Sequence, residues 1–463
     1  MASKLPHNFI QGGPSEPFSK DLLEGKVQLE RKCGYTLEGK KKRNLLNAFD
    51  MNGVGHIRFA FHPKPQFRSH AHQSVGRSIG QWQNPEDKSS QKNRLPYWIE
   101  LAKLLERGKF NALFLADNYG SHDIYKASHA PAIRAASQWP LYDPFSVISA
   151  MAAVTETLAF GNIVTSWSDT AARAHGLEQL PEHDTRYEMA EEYLSLVYKL
   201  WEGSWADDAV VKDPSTHTYT DPTKVRKIEH QGKFYKSSSA HQVVPSPQRT
   251  PVLFQAGMSP AGSSFAAKHA ECIFCGGASP ASVAKNIEET RQRAQENGRD
   301  PYYLKYFVQF TPSLCATDQE AQEKCDRYRQ YALGEVLGST SGIDVSGMKT
   351  GFDRWTPRIL AEYQSLGGSA PYKIGSGATV ADEMERRITE ADVDGFNIGH
   401  IVVPGAWEDV IKYLVPELET RGWLGKDYPV PQGTARENLY GSPGDSYVRK
   451  THPGYQHKFK RDI

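Results

Sequence analysis

A chain of 463 residues suits one large α/β barrel or two or three smaller domains, so length alone excludes little. With 39% hydrophobic residues, 24% charged residues and a formal net charge of +1, it lacks the basic surplus that draws nucleic acid or anionic membrane. No run approaches the roughly 18 uninterrupted apolar residues of a membrane span, the polar N-terminus has no signal core, and the few scattered cysteines suit a reducing compartment, so a cytoplasmic protein is expected.

Residues 1–44 show no strong period and are expected to form a flexible arm. Their run Lys40-Lys41-Lys42-Arg43 reads as a solvated lead-in to the first strand, with a nuclear-localisation signal as the alternative. Leu45–Met51 is a short apolar run closed by Asn52-Gly53, which predicts a buried strand and a turn. Residues 57–93 are polar, rich in Pro and Gly, and hold His62, His70 and His72; they read as an inserted loop, solvated rather than metal-binding because no carboxylate cluster accompanies the histidines. The spacing of Tyr97, Leu101, Leu104 and Leu105 predicts a helix ending at Gly108, and Ala112–Ala116 a strand ending at Asp117.

The alternation then repeats. Helices are predicted over 144–155, 187–201, 262–270, 282–297, 318–333, 380–389 and 407–421, and strands over 158–165, 252–256, 271–274, 306–311 and 395–398. Strands alternating with helices imply a parallel sheet, and this many units favour a closed (β/α) barrel. The first βα turn carries no Gly-x-Gly-x-x-Gly, which weakens an open dinucleotide-binding sheet. Cys272-x-x-Cys275 lies on an apolar strand without a second Cys or His pair at zinc spacing, so a buried structural pair is favoured over a redox or metal site. Residues 426–463 read as a C-terminal tail.

Six segments go beyond fold class: Leu46–His56 (LNAFDMNGVGH), Leu101–Asp117, Asp143–Gly161, Asn162–Ser166 (NIVTS), His183–Trp205 and Gln255–Gly262 (QAGMSPAG). As an ordered set over residues 45–425, the chain resembles the nitrilotriacetate, EDTA and dibenzothiophene-sulfone monooxygenase branch of the bacterial-luciferase-like superfamily. The resemblance implies a TIM-type (β/α) barrel that takes reduced FMN by diffusion from a separate flavin reductase and uses O2 to oxygenate a small organic substrate. It leaves a homodimer open. A deazaflavin-dependent oxidoreductase on the same barrel is the alternative chemistry.

The resemblance also implies site residues. Asp117 would stand beside the flavin, with a turn or capping aspartate as its alternative reading. His183 and Tyr187, four apart on one helix face, would lie on the phosphate side; a capping cluster and a core tyrosine are the alternatives. Gly257 and Ser259 would let backbone N–H groups and a hydroxyl approach the phosphate at a helix N-terminus, although an ordinary βα turn explains the same letters. Asn162 would face the ring.

The chain departs from the family pattern at one junction. Phe160-Gly161 runs directly into Asn162-Ile163 where relatives interpose roughly thirty residues, about one βα unit. A seven-stranded circuit must close with altered tilt or stay open with an unpaired edge. Residues 57–77 are an addition. One loss and one gain together allow a catalytically impaired barrel from a variant transcript or gene model.

Overall fold

The computed structural model describes residues 32–36, 38–54, 80–118, 128–136, 139–165, 169–174, 176–276, 279–331 and 371–460. Seven parallel strands follow one another round a curled sheet in the order β3 (Ala159–Thr165), β2 (Ala112–Asn118), β1 (Leu45–Met51), β12 (Gly395–Ile398), β10 (Lys305–Leu314), β9 (Cys272–Cys275) and β8 (Phe254–Gln255). An eighth, β11 (Tyr372–Gly375), branches from β10. Two antiparallel hairpins, β4–β5 (Val210–Asp213, Thr218–Thr220) and β6–β7 (Ile228–Gln231, Lys236–Ser239), lie between β3 and β8 in the chain.

The helices that cover the sheet are α1 (Leu95–Arg107), α2 (Phe145–Ala152), α3 (His183–Gly203), α4 (Pro260–His269), α5 (Pro280–Glu296), α6 (Asp318–Arg329) and α7 (Gly377–Ala391). The closing helix runs from Gly405 to Thr420 through one π turn at Val410–Leu414, so its predicted single period is interrupted. Strand parity sorts the two faces of the sheet. Leu46 and Ala48, Leu113 and Leu115, Val308 and Phe310, and Phe396 and Ile398 pack outward against Trp98, Leu105, Val283, Met384 and Trp407 of the helical layer. Both faces are covered, which is why the strands read as continuous apolar runs.

The inner face is aromatic. Phe49 lies 6.0 Å from Phe114 and 5.7 Å from Phe274, and Phe254 lies 5.0 Å from Phe114 and 5.7 Å from Phe307, ring centre to ring centre. Leu158 leads into a single strand that pairs with β2 from Ala159 to Thr165, so the joined run folds as one strand. Among the described residues no ladder links β3 to β8. Phe114 from β2 and Phe254 from β8 meet across the interior instead. Gly161 is needed for this packing, because a Cβ there would stand 2.6 Å from the Phe114 ring.

Three segments differ from their sequence readings. Residues 38–44 do not behave as a free arm: Lys42 is buried beneath the barrel, its Nζ 2.9 Å from Asp392 and 3.0 Å from Asp394. Residues 80–93, expected to be solvated loop, contribute two short helical turns, and Lys92 is buried with its Nζ donating to Asp50 Oδ1 at 2.6 Å. His62, His70 and His72 lie outside the described residues. The expected tail carries a further helix, α8 (Ala435–Tyr440), anchored by the fully buried Arg436.

The Lys42 cluster gives a pH prediction. Burial opposes ionisation of Asp394, but Lys42, Lys305 and Arg291 outweigh it and hold the carboxyl at about 2; Asp392 is lowered for the same reason. A depressed carboxylate contributes stability that is complete above its unfolded value, about 3.9, and is lost as pH falls through the folded one. Urea midpoints should therefore fall between about pH 4 and pH 2, and Asp394→Asn should lower the midpoint at neutral pH and flatten that fall. An unchanged slope in the variant would assign the acid transition elsewhere.

Candidate active site

Because the strands are parallel, their C-terminal ends form one rim, the place where barrel loops gather functional groups. At the β8 end of this rim the chain turns from Gln255 through Gly257 into α4. Ser259 is the N-cap, its hydroxyl accepting the Gly262 N–H at 3.0 Å, and Pro260 follows at the first helical position, where a missing N–H costs nothing. The first turns of α3 are brought against this turn. Its N-cap Glu182 accepts from the N–H groups of Asp184 and Thr185, which fixes the start at His183.

The two elements meet at Tyr187. Its hydroxyl lies where side chains on Gly257 and Gly262 would begin: a Cβ would stand 2.6 Å and 2.5 Å from it, respectively. Only glycine at both positions leaves room for the phenol. The His183 ring packs edge-on at 5.2 Å from the Tyr187 ring, and Phe265 of α4 lies 5.7 Å away on the helix side. Burial pushes the Tyr187 phenol up, while hydrogen bonds to Ser259 and Gln255 and the neighbouring Arg186 pull it down. Four of the expected residues, His183, Tyr187, Gly257 and Ser259, thus converge on one corner.

Arg186 was not among the sequence candidates. It is half-buried in the first turn of α3, where the helix dipole disfavours a cation, and its Nε is buried without a hydrogen-bond partner among the described residues. Burial lowers its pKa, with Tyr187 and Glu182 opposing. A guanidinium set against a helix N-terminus beside a glycine turn is a site for an oxyanion. The sequence offered only a weak signal, a cation in a helix's first turn where the dipole disfavours it; its burial depends on packing that no local pattern shows.

Asp117, near the C-terminal end of β2, and Asn162, in the middle of β3, are not in this corner. Asp117 is buried near the end of β2, level with Val164 of β3, on the strand face that carries Leu113 and Leu115. Asn162 is level with Leu115 and shares its face with Phe160, toward the helical layer; both its amide atoms are buried without a partner among the described residues.

Comparison with known proteins follows the same lines. The family described as luciferase-like monooxygenase matches residues 161–395. The chain is 39% identical to a long-chain alkane monooxygenase of Geobacillus thermodenitrificans, over 86% of this chain and 94% of the relative. It is 37% identical to a dimethyl-sulfide monooxygenase of Hyphomicrobium sulfonivorans over 90% and 94%. The crystal structure of a long-chain alkane monooxygenase superposes with a TM-score of 0.79 at 36% identity, covering 90% of this chain and all of that one. The chain belongs to the luciferase-like monooxygenase family. It is an enzyme of the branch that also includes dibenzothiophene-sulfone and nitrilotriacetate monooxygenases.

Within this luciferase-like barrel the decoy motif resolves by parity. Cys272 packs inward with Leu45 and Phe307 and Cys275 outward into the helical core, so the two thiols face opposite sides of β9. Burial pushes both thiols up, away from the reactive thiolate. Among the described residues no helix is long and apolar enough to cross a membrane.

Proposed function

We propose that this chain is the oxygenating component of a two-component system: a separate flavin reductase supplies reduced FMN, and the barrel uses it with O2 to oxygenate a small organic substrate. The observation that carries this reading is the corner where Arg186, Tyr187 and Ser259 surround a turn kept free of side chains by Gly257 and Gly262. Such a corner fits a phosphate monoester. Arg186 would neutralise one phosphate charge, the Tyr187 and Ser259 hydroxyls would donate to its oxygens, and His183 would close the outer side. Asp117, at the end of β2, is proposed as the opposite margin of the mouth; Asn162, expected to face the ring, lies on the outward face of β3 and is given no such role. The phenylalanine wall of Phe49, Phe114, Phe254 and Phe274 keeps water from the reacting centre. Reduced flavin supplies the electrons with which one oxygen atom is inserted into substrate and the other becomes water. The relatives named for an alkane, a sulfide and a sulfone point to substrates with a hydrocarbon or sulfur centre, and the nitrilotriacetate enzyme adds an amine.

Anaerobic titration with reduced FMN and with reduced riboflavin tests the corner. FMN should bind more tightly than about 1 mM and clearly better than riboflavin; Arg186→Ala should weaken FMN about tenfold and leave riboflavin unchanged. Equal affinities for FMN and riboflavin in the unaltered chain would overturn the phosphate assignment. The lack of a ladder between β3 and β8 among the described residues favours a second reading, a barrel that binds flavin but does not turn over. Melting that is stabilised by FMN, without substrate-dependent oxygen consumption when reductase is added, would select it.

A further inference from the structure

Strand β8 sends neighbouring side chains to opposite layers. Phe254 and Ala256 join the phenylalanines of the inner face, while Gln255 between them is the register partner of Ile273, which is buried in the helical layer. A half-buried amide therefore stands where the adjacent strand carries an isoleucine. Taken from water into such a layer, an amide needs a hydrogen-bond partner. The Tyr187 hydroxyl is that partner. A Cβ on Gly257 would stand 2.6 Å from this hydroxyl and 3.0 Å from Gln255 Nε2, so phenol oxygen and amide nitrogen border one small space.

The bond has a direction. An amide NH2 group only donates, whereas a hydroxyl gives one proton and its oxygen also accepts. With Gln255 Nε2 as the nearest amide atom, its N–H donates to the phenol oxygen, and the Tyr187 proton is turned away from β8. Ser259 Oγ is served in the same way by the Gly262 N–H at 3.0 Å. Each of the two hydroxyls, which also bond to one another, thus has a separate N–H donor behind it. Both protons can then leave that mutual bond for a ligand without stripping either oxygen of its donor.

We infer that Gln255 is a positioning residue of the phosphate corner: its N–H holds the phenol oxygen, so that Tyr187 and Ser259 can both turn their protons to an oxyanion. This role rests on the flavin-phosphate reading given above. Without the amide, the phenol oxygen keeps the Ser259 proton, and the oxyanion loses a donor. A carboxylate in its place does more, because it accepts the Tyr187 proton and sets a negative charge beside the phosphate.

Reduced FMN and reduced riboflavin are titrated anaerobically into the full chain and into its Gln255→Leu, Gln255→Glu, Tyr187→Phe and Tyr187→Phe/Gln255→Leu variants. Gln255→Leu should weaken FMN about tenfold and Gln255→Glu further, with riboflavin unchanged in both. In the Tyr187→Phe background Gln255→Leu should cost nothing more, since no phenol proton is left to direct. Phosphorus NMR of bound FMN should shift in Gln255→Leu as it does in Tyr187→Phe. A residue that only packs would lower both flavins alike, and its effect would add to that of Tyr187→Phe. Either of those results, or an FMN affinity that Gln255→Leu leaves unchanged, overturns the assignment of Gln255, while a preference of the unaltered chain for FMN over riboflavin keeps the corner. No such preference in the unaltered chain removes the phosphate reading and this role with it.

Discussion

Gly257→Ala should weaken reduced-FMN binding between tenfold and a hundredfold while leaving the barrel folded. The new Cβ would sit 2.6 Å from the Tyr187 hydroxyl and 3.0 Å from Gln255 Nε2, closer than side-chain atoms tolerate. Overpacking of this kind costs about 1–3 kcal/mol, and about 1.4 kcal/mol is tenfold in affinity. The phenol must therefore move out of the corner it shares with Ser259. Adding Tyr187→Phe removes the clashing atom but also the donor. The double variant should thus recover its melting temperature and not its affinity, a split that calorimetry and anaerobic titration read separately. Undiminished FMN affinity in the single variant would mean that the turn is an ordinary βα connection.

Removing the Arg436 guanidinium should produce the largest loss of stability. Its Nε and Nη2 each lie 2.8 Å from a different oxygen of Glu271, both side chains are fully buried, and Nη2 and Nη1 also donate to the carbonyls of Thr250 (2.9 Å) and Ser446 (2.6 Å). Arg436→Met leaves a carboxylate uncompensated in the interior and two carbonyls without these donors, which costs about 3–5 kcal/mol. Glu271→Leu combined with Arg436→Met should regain much of that, because an apolar pair avoids the desolvation of two charges. Equilibrium unfolding in urea compares the three proteins. A single variant as stable as the parent would show that the C-terminal segment packs without this anchor.

The parts of the fold that were legible in the sequence are those in which one physical signal dominates. α7 and α1 carry apolar residues at helical spacing, and β1 and β2 are apolar on both faces because helices cover one side and phenylalanines fill the other. The spacing of His183 and Tyr187 and the small residues after β8 showed a shared helix face and a tight turn, but their place at a site came only from the family resemblance. What stayed hidden depends on distant partners. The β6–β7 hairpin has the polar sequence of a loop, and is held because Glu192 of α3 accepts the N–H groups of Phe234 and Tyr235. Arg436 looks like a surface residue until Glu271, far away in the chain, is placed beside it. The buried hydrogen bond from Asn47 to Asn397 is likewise invisible at sequence level, since its two partners lie far apart in the chain.

A closed barrel has its girth set by strand number and stagger. Among the described residues that circle is not completed between β3 and β8, and the Phe114–Phe254 ring contact spans the two arms, so dispersion between two rings and not a backbone ladder joins them.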